Sequence, residues 1–275
     1  MIPIQYALRR RMMMAALGSG IDVSALSITY TGAYTDYGMV TMSDGARYRL
    51  LAFTSSGTLS IEQPVNCEVC VVGGGANGTK QTDKGSYAGG DGGAGAYLKN
   101  QSVSAYNGGS VVVGAIQGVS SIADVSVNAV SGKNGGTGAG GKTAGTGDGI
   151  SKYPFEDTGY SLWAGKPHCG GGGQGAYESQ SGYGYKGGDG GTNGSNGYPW
   201  EDKSVKNPRG GVGGSYGGGA GGNNPTNNGE NATYYGSGAG GGRYYAMASG
   251  HVTFSDGGSG YQGIVYMRIP EEQAA

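Results

Sequence analysis

The chain has 275 residues, of which 64 are glycine and 8 are proline, and its formal net charge is −1. Glycine at about three times its ordinary frequency, without a Gly-X-Y period, excludes collagen, and the balanced charge argues against electrostatic binding of nucleic acid. No apolar run approaches the roughly 18 residues that a membrane-spanning helix needs.

The first predicted element is a short helix over residues 4–17. Its sequence is rich in good helix formers, Pro3 precedes it, and Gly18 follows where a C-cap glycine is expected. Three arginines and three methionines on one short helix favour docking against another protein, although packing on its own domain is the alternative. The candidate attachment residues are Ile4, Leu8, Arg9, Arg10 and Met12. Residues 1–30 are assigned to this attachment helix and its lead-in.

Residues 31–130 are predicted to form a β-rich domain resembling a β-sandwich. Short β-type runs alternate there with Gly, Ser and Asp, and Ser43–Gly45 and Ser55–Gly57 are predicted to be hairpin turns. A final apolar run, residues 263–269, is predicted to return to this domain as a strand. The other runs are residues 27–32, 39–42, 47–53, 58–61, 67–72, 97–105, 110–116 and 125–130.

Residues 131–275 are predicted to form a glycine-rich domain. Glycine tracts left alone behave as flexible linkers. Here, however, they are separated by connectors of fairly regular length that are rich in Tyr, Trp and Asn, which favours an ordered body. The tracts occupy residues 72–78, 89–95, 135–141, 170–175, 187–194, 210–222 and 236–242.

An ordered body of glycine tracts has a known geometry, the polyproline-II helix. It has three residues per turn and no internal hydrogen bonds, so its N–H and C=O groups point outward to neighbouring helices. We therefore predict a mainly β fold. Its sandwich-like part is joined to a body of packed polyglycine-II helices, with a short helix at the N-terminus.

The order of segments from about residue 50 to residue 270 is distinctive. TSSGTLSI is followed by CEVCVVGGGANG, GGDGGAGAYLKNQSVS, GSVVVGAIQG and SSIADVSVNAVSGKNGGTG, and the last segment is GSGYQGIVYMRI. This order resembles the glycine-rich domain of bacteriophage tail fibres and tail-tip adhesins. The resemblance implies polyglycine-II bundles that present variable loops to bacterial surface receptors, and it transfers no binding residue to a particular loop of this chain.

Tyrosine is the most informative side chain, because the chain has 21 tyrosines and only 3 phenylalanines. Tyr combined with Gly, Ser and Asn is the composition of antibody loops, in which a rigid face and one polar handle bind at low entropic cost. We predict receptor contacts from the connectors 142–169, 177–186, 195–209, 223–235 and 243–256; the alternative is that these rings pack over the glycine tracts. The candidate receptor-binding residues are Tyr153, Phe155, Tyr160, Trp163, Tyr183, Tyr185, Tyr198, Trp200, Tyr234, Tyr235, Tyr244 and Tyr245.

Other motifs are not expected to carry chemistry. GTGAGGKT at 136–143 matches a phosphate-binding loop, but the glycines and proline that follow cannot form the helix it requires. Cys67 and Cys70 have metal-ligand spacing, yet on a strand they face opposite sides, so buried free thiols are expected. With only two histidines in the chain, we predict no catalytic residue, no metal and no cofactor.

The sequence thus predicts a bacteriophage tail-tip or tail-fibre protein that binds the host surface without catalysis. Its expected partners are a bacterial surface glycan or protein, other tail proteins, and further copies of itself or a trimeric fibre, with no nucleic acid and no membrane insertion. No signal peptide is apparent, so we expect synthesis in the host cytoplasm and a place in the virion tail. Two alternatives stay open: a purely structural tail or baseplate protein, and a polysaccharide depolymerase using the acid pairs Glu156–Asp157 and Glu201–Asp202.

Overall fold

The computed structural model describes residues 21–80, 89–90, 92–93, 95–127, 153–179, 183–185, 205–206, 213, 217–222, 228–246 and 252–273. The described chain is mainly β, with two sheets and a layer of glycine-rich segments between them. The predicted helix over 4–17, with its candidate attachment residues, and the motif at 136–143 lie outside these ranges. Within them, no helix is long and apolar enough to cross a membrane.

Thirteen strands and one turn of 3-10 helix, Pro154–Glu156, occur in this part of the chain. The strands are β1 (Ile28–Tyr30), β2 (Tyr34–Thr41), β3 (Arg47–Phe53), β4 (Gly57–Val72), β5 (Leu98–Val112), β6 (Ser120–Ile122), β7 (Val125–Val127), β8 (Tyr177–Ser179), β9 (Tyr183–Tyr185), β10 (Val205–Lys206), β11 (Tyr244–Ala246), β12 (Val252–Phe254) and β13 (Ile264–Pro270). The large sheet is antiparallel, in the order β2–β3–β13–β4–β5–β6–β7 with β1 beside the first half of β4. The small sheet has the order β10–β9–β8–β11–β12.

The last strand, β13, lies in the middle of the large sheet, between β3 and β4. The prediction that residues 263–269 return as a strand to the β-rich part is therefore confirmed. The prediction of a hairpin at Ser55–Gly57 is wrong, because β13 lies between β3 and β4, the two strands that this turn connects. The turn at Ser43–Gly45 does join two paired strands, β2 and β3, as predicted.

The central strands of the large sheet are buried on both faces. Alternate side chains such as Leu51 and Met267 enter a core that they share with β6 and β7, so the sheet curls over on itself. On the opposite face, Leu50 and Tyr266 are covered by the segment 153–169. Two-sided burial explains why these strands read as continuous apolar runs rather than as alternating ones.

The strands β4 and β5 are long and irregular. Each strand combines two β-type runs that the sequence predicts as separate strands. The pairing of β4 with β5 shifts register between Ser60 and Cys67. Pro64 lies within this irregularity, where the missing N–H of a proline interrupts the ladder. As a result, β1 pairs with the first half of β4 and β13 pairs with the second half.

Cys67 and Cys70 lie on opposite faces of β4, in the two separate cores, as the strand geometry predicts. Both thiols, and that of Cys169, are buried, and no disulfide joins them in the described part of the chain. Burial, together with the neighbouring Glu68 carboxylate, raises the pKa of Cys67 to about 12, so this thiol stays protonated.

The segment 236–242 is the centre of the glycine-rich layer. From Gly238 to Gly242, its successive backbone N–H groups donate to three different segments in turn. Two of these segments receive two bonds spaced three residues apart, and the third receives one, at Glu230. The bonds are Gly238 to Gly170 (2.8 Å), Ala239 to Ala76 (3.0 Å), Gly240 to Glu230 (2.9 Å), Gly241 to Gly173 (2.9 Å) and Gly242 to Thr79 (3.0 Å).

The carbonyl groups of the same central segment accept bonds from three further segments. The donors again recur at intervals of three: Ala96, Gly93 and Gly90 bond Gly236, Ala239 and Gly242; Gly219 and Gly222 bond Gly238 and Gly241; Tyr261 and Gly258 bond Ser237 and Gly240. Six segments therefore surround one, and the hydrogen bonds between them are made by backbone atoms.

The glycine layer contains segments from both sides of residue 130, the predicted domain boundary. Residues 73–80 and 89–96, which fall inside the predicted β-rich domain, bond to the central segment 236–242. The predicted boundary at residue 130 thus does not separate the two layers. In the same way β1 falls within the predicted attachment segment 1–30, yet it is a strand of the large sheet.

A side chain inside this layer has no room. A Cβ atom built on Gly172 would lie 1.8 Å from the carbonyl oxygen of Ala239. We expect Gly172→Asn to lower the free energy of unfolding by about 3 kcal/mol or more, the upper end of overpacking costs. Urea denaturation followed by circular dichroism measures the change.

The matched control is Gly45→Asn. Gly45 lies in the turn between β2 and β3 with φ of 83° and open space around its Cα. Asparagine tolerates this backbone conformation, so the expected change is within about 1 kcal/mol. Equal stability of the two variants would contradict close backbone packing in the layer.

Candidate functional surface at the far end of the glycine layer

The glycine segments run from the large sheet to the small sheet. The segment 170–176 leaves Cys169, which packs in the core against the large sheet, and leads into β8. The segment 236–242 begins beside Ala96, just before β5, and leads into β11. Seven extended residues span roughly 20 Å. The small sheet therefore lies at the end of the layer away from the large sheet, and we call this end the far end.

Aromatic stacking holds the small sheet together. The parallel strands β8 and β11 place Tyr177 opposite Tyr244, and their rings stack with centroids 5.2 Å apart. Phe254 of β12 meets the Tyr244 ring edge-on, also at 5.2 Å. Tyr244 is buried, so this predicted receptor contact is instead a core residue of the small sheet. Tyr245 is half-buried, and the buried Arg243 guanidinium lies 5.0 Å from its ring centroid.

Three of the predicted connectors, 177–186, 195–209 and 243–256, contain strands of the small sheet and so lie at the far end. The described residues on either side of 81–88, 180–204, 223–227 and 247–251 all belong to the small sheet or to the adjoining ends of glycine segments. An exposed ion pair at 3.0 Å joins Lys80 to Asp256 there. Tyr183 and Tyr185 lie on β9, with side chains outside the described part. Tyr198 and Trp200 also lie outside it, between β9 and β10.

The sequence predicts that the connector 142–169 contacts the host, but its described part, residues 153–169, covers the large sheet. Trp163 is fully buried, and its Nε1 donates to the Asp157 carbonyl oxygen at 2.6 Å. Phe155 is also buried, whereas Tyr153 and Tyr160 are half-buried at the edge of the same cluster. The prediction of receptor contacts by Phe155 and Trp163 is corrected: both are core residues, because this face of the sheet is apolar and needs a cover.

Asp157 fixes this cover in place. Its carboxylate accepts bonds from the Ser43 N–H and hydroxyl and from the Gly159 and Tyr160 N–H groups. Burial alone would raise the pKa of Asp157, but these hydrogen bonds outweigh it and hold the pKa below its usual value. Asp157 of the first acid pair therefore has a structural role, and the second pair, Glu201–Asp202, lies outside the described residues.

A buried histidine joins the large sheet to the glycine layer. The His168 Nε2 lies 3.1 Å from the hydroxyl of Tyr266 on β13, and Tyr234 and Tyr235 pack on its ring with centroids 4.9 and 6.2 Å away. Its Nδ1 has no hydrogen-bond partner among the described atoms. Burial lowers the pKa of His168 to about 3, so the ring is neutral at ordinary pH.

The structure thus divides the predicted aromatic residues between two regions. Tyr160, Tyr234 and Tyr235 gather near the large sheet, while Tyr244 and Tyr245 lie at the far end. Two further aromatic residues near the large sheet, Tyr261 and Tyr266, pack against Tyr235 and His168. The composition of the connectors does not predict these two contacts. Comparisons with protein families, with curated proteins and with solved structures found no match for this chain.

The burial of Trp163 predicts a large cost when it is truncated. Trp163→Ala removes a fully buried ring that contacts Phe155, Tyr160 and Tyr266. We expect a loss of about 3–5 kcal/mol in the free energy of unfolding, measured by urea denaturation. Tyr37→Ala, which truncates an exposed ring on β2, is the control and should cost less than about 1 kcal/mol. A small effect at Trp163 would show that the connector 153–169 does not cover the sheet.

The buried neutral state of His168 predicts a pH dependence of stability. An unfolded histidine has a pKa of about 6.5. Between that pH and about 3 the unfolded state binds more protons than the folded state, so the free energy of unfolding decreases as the pH is lowered. From about pH 7.5 to 5.5 the expected loss is about 1.4 kcal/mol. Denaturation curves at both pH values measure it. His168→Gln should remove most of this loss; an unchanged loss in the variant would refute the assignment.

Proposed function

We propose that this protein is a receptor-binding protein of a bacteriophage tail, which adheres to the host surface through connectors at the far end of the glycine layer. The order of its segments, which resembles that of the glycine-rich domains of tail adhesins, supports the proposal. The single observation that carries it is the direction of the layer. Its segments separate the large sheet from the small sheet, where most of the Tyr- and Trp-rich connectors are attached.

We further propose that the glycine segments are packed polyglycine-II helices. Hydrogen bonds that return to the same neighbour at every third residue have the period of a helix with three residues per turn. Six neighbours around the segment 236–242 are what a helix with outward N–H and C=O groups can accommodate. Each bond is worth only about 0.5–1.5 kcal/mol net, so rigidity comes from their number.

Attachment to the tail fits the opposite end. The candidate attachment helix, residues 4–17, precedes Ile21, which packs against the core of the large sheet. The described chain starts on this side, at Ile21, so the proposed tail contact is assigned to the end that carries the large sheet. The proposed protein is therefore a spacer with a tail-facing sheet and a host-facing set of loops.

Adhesion of this kind needs no bond to be broken. Aromatic side chains such as Tyr198 and Trp200 would provide hot spots in which a rigid ring excludes water from a receptor. Several copies on one virion would multiply a modest affinity by raising the effective concentration. A purely structural role predicts instead that the far-end connectors contact neighbouring virion proteins.

The test is binding of fluorescently labelled protein to a panel of bacterial strains. We expect strain-selective binding that weakens by about tenfold or more in a Tyr198→Ala/Trp200→Ala variant, since two aromatic hot spots are removed. Tyr37→Ala, an aromatic truncation on the large sheet, is the control and should bind like the parent protein.

Each alternative has its own outcome in the same assay. A folded protein that binds no strain would favour the structural role and direct attention to the helix at residues 4–17. Equal loss of binding in the Tyr37→Ala control would place the receptor contact on the large sheet rather than at the far end. Loss of surface polysaccharide from the cells would favour the depolymerase.

A further inference from the structure

A groove lies between the turn 114–118 and the segments 231–232 and 259–262. We propose that this groove binds a neutral saccharide. Its described lining residues include Asn231 and Ala232 of the predicted connector 223–235 but no residue of the small sheet, so its ligand is additional to the far-end receptor contact proposed above. Its volume of about 620 Å³ falls within the range of about 300–1,000 Å³ typical of small-molecule sites.

The walls of the groove are held by backbone hydrogen bonds. The Ala232 N–H donates to the Ser259 carbonyl at 2.9 Å, and the Gln117 N–H donates to the Gly75 carbonyl at 3.1 Å. Tyr261 is anchored in the same way, because its N–H donates to the Ser237 carbonyl at 2.9 Å. The site is therefore formed before a ligand enters, which lowers the entropic cost of binding.

The chemistry of the lining fits a sugar ring. Tyr261 is half-exposed and packs edge-on against Tyr235 at 5.5 Å, so its ring is fixed as a platform. A pyranose presents an apolar C–H face that stacks on such a ring, while its hydroxyl groups point sideways. Ile116 at the rim, with 40% of its surface exposed, adds a second apolar contact.

Two side-chain amides are already oriented beside this platform. The Asn231 Oδ1 accepts the Ser259 N–H at 2.8 Å, which leaves the amide nitrogen of Asn231 as a donor. The Gln262 Nε2 donates to the Thr54 carbonyl at 3.1 Å, which leaves its oxygen as an acceptor. With the exposed Ser259 hydroxyl they offer the mixture of donors and acceptors that sugar hydroxyl groups match.

The absence of charge in the lining sets the class of sugar. The residues that line the groove carry no ionisable acid or base apart from the Tyr261 phenol. A carboxylated or sulfated sugar would lose hydration there without gaining a counter-charge. We therefore expect neutral hexoses and N-acetylhexosamines to bind, and acidic sugars of the same size to be rejected.

The experiment is an array of immobilised neutral and acidic oligosaccharides, followed by titration calorimetry with the free form of the best neutral one. We expect binding to at least one neutral oligosaccharide, weakened by about tenfold or more in Tyr261→Ala and in Asn231→Ala. Ile116→Arg, at the exposed rim, should also block the groove without disturbing the fold. The control is Val112→Ala, an exposed apolar residue outside the lining.

The outcomes separate this site from the proposed far-end receptor contact. No binding to any neutral oligosaccharide, preference for acidic ones, or binding unaffected by Ile116→Arg and Asn231→Ala would each overturn the proposal. Thermal unfolding of every variant checks that lost binding is not lost folding. Because Tyr198 and Trp200 are not among the described residues that line the groove, the Tyr198→Ala/Trp200→Ala variant should retain sugar binding even where it loses adhesion to cells.

Discussion

The close approach of backbones around the segment 236–242 is the constraint on which the rest of the structure depends. A Cβ atom on Gly240 would lie 1.8 Å from the Ala220 carbonyl oxygen, so a side chain there would push two segments apart and break their hydrogen bonds. The layer is therefore held by many weak backbone bonds instead of an apolar core. Such bonds stabilise only when their neighbours are in place, which makes the layer cooperative.

Register in the layer is fixed from its two ends. Glycine carries no side chain that distinguishes one alignment of two segments from another three residues away. The large sheet fixes this alignment through the pairing of β5 and β13 with β4. The positions of these strands set where the segments 89–96 and 255–263 begin and end. At the other end, the stacked rings of Tyr177 and Tyr244 align two segments side by side. His168 and its tyrosine neighbours fill the joint between sheet and layer.

Strands were predictable where apolar runs are long and buried on both faces, as in β3 and β13. The absence of a hairpin at Ser55–Gly57 could not be predicted, because a turn sequence does not show that β13, from the other end of the chain, pairs between the two strands that the turn connects. The burial of Trp163 was missed for a related reason: composition marks a connector as aromatic but not which surface it covers. The direction of the glycine layer was unpredictable, since it depends on which glycine segments are neighbours.

Backbone bonding also separates the scaffold from whatever the connectors carry. In the described part of the chain, the residues that bond to the central segment 236–242 lie in the glycine-rich segments and not in the strands of the small sheet. Change within these segments is costly, because an added side chain meets the backbone of a neighbouring segment. For the adhesin proposed above, a receptor contact made outside these segments would leave the backbone bonds of the spacer in place. The cover over the large sheet is a second fixed part of the scaffold, because Asp157 and Trp163 hold it through hydrogen bonds and burial.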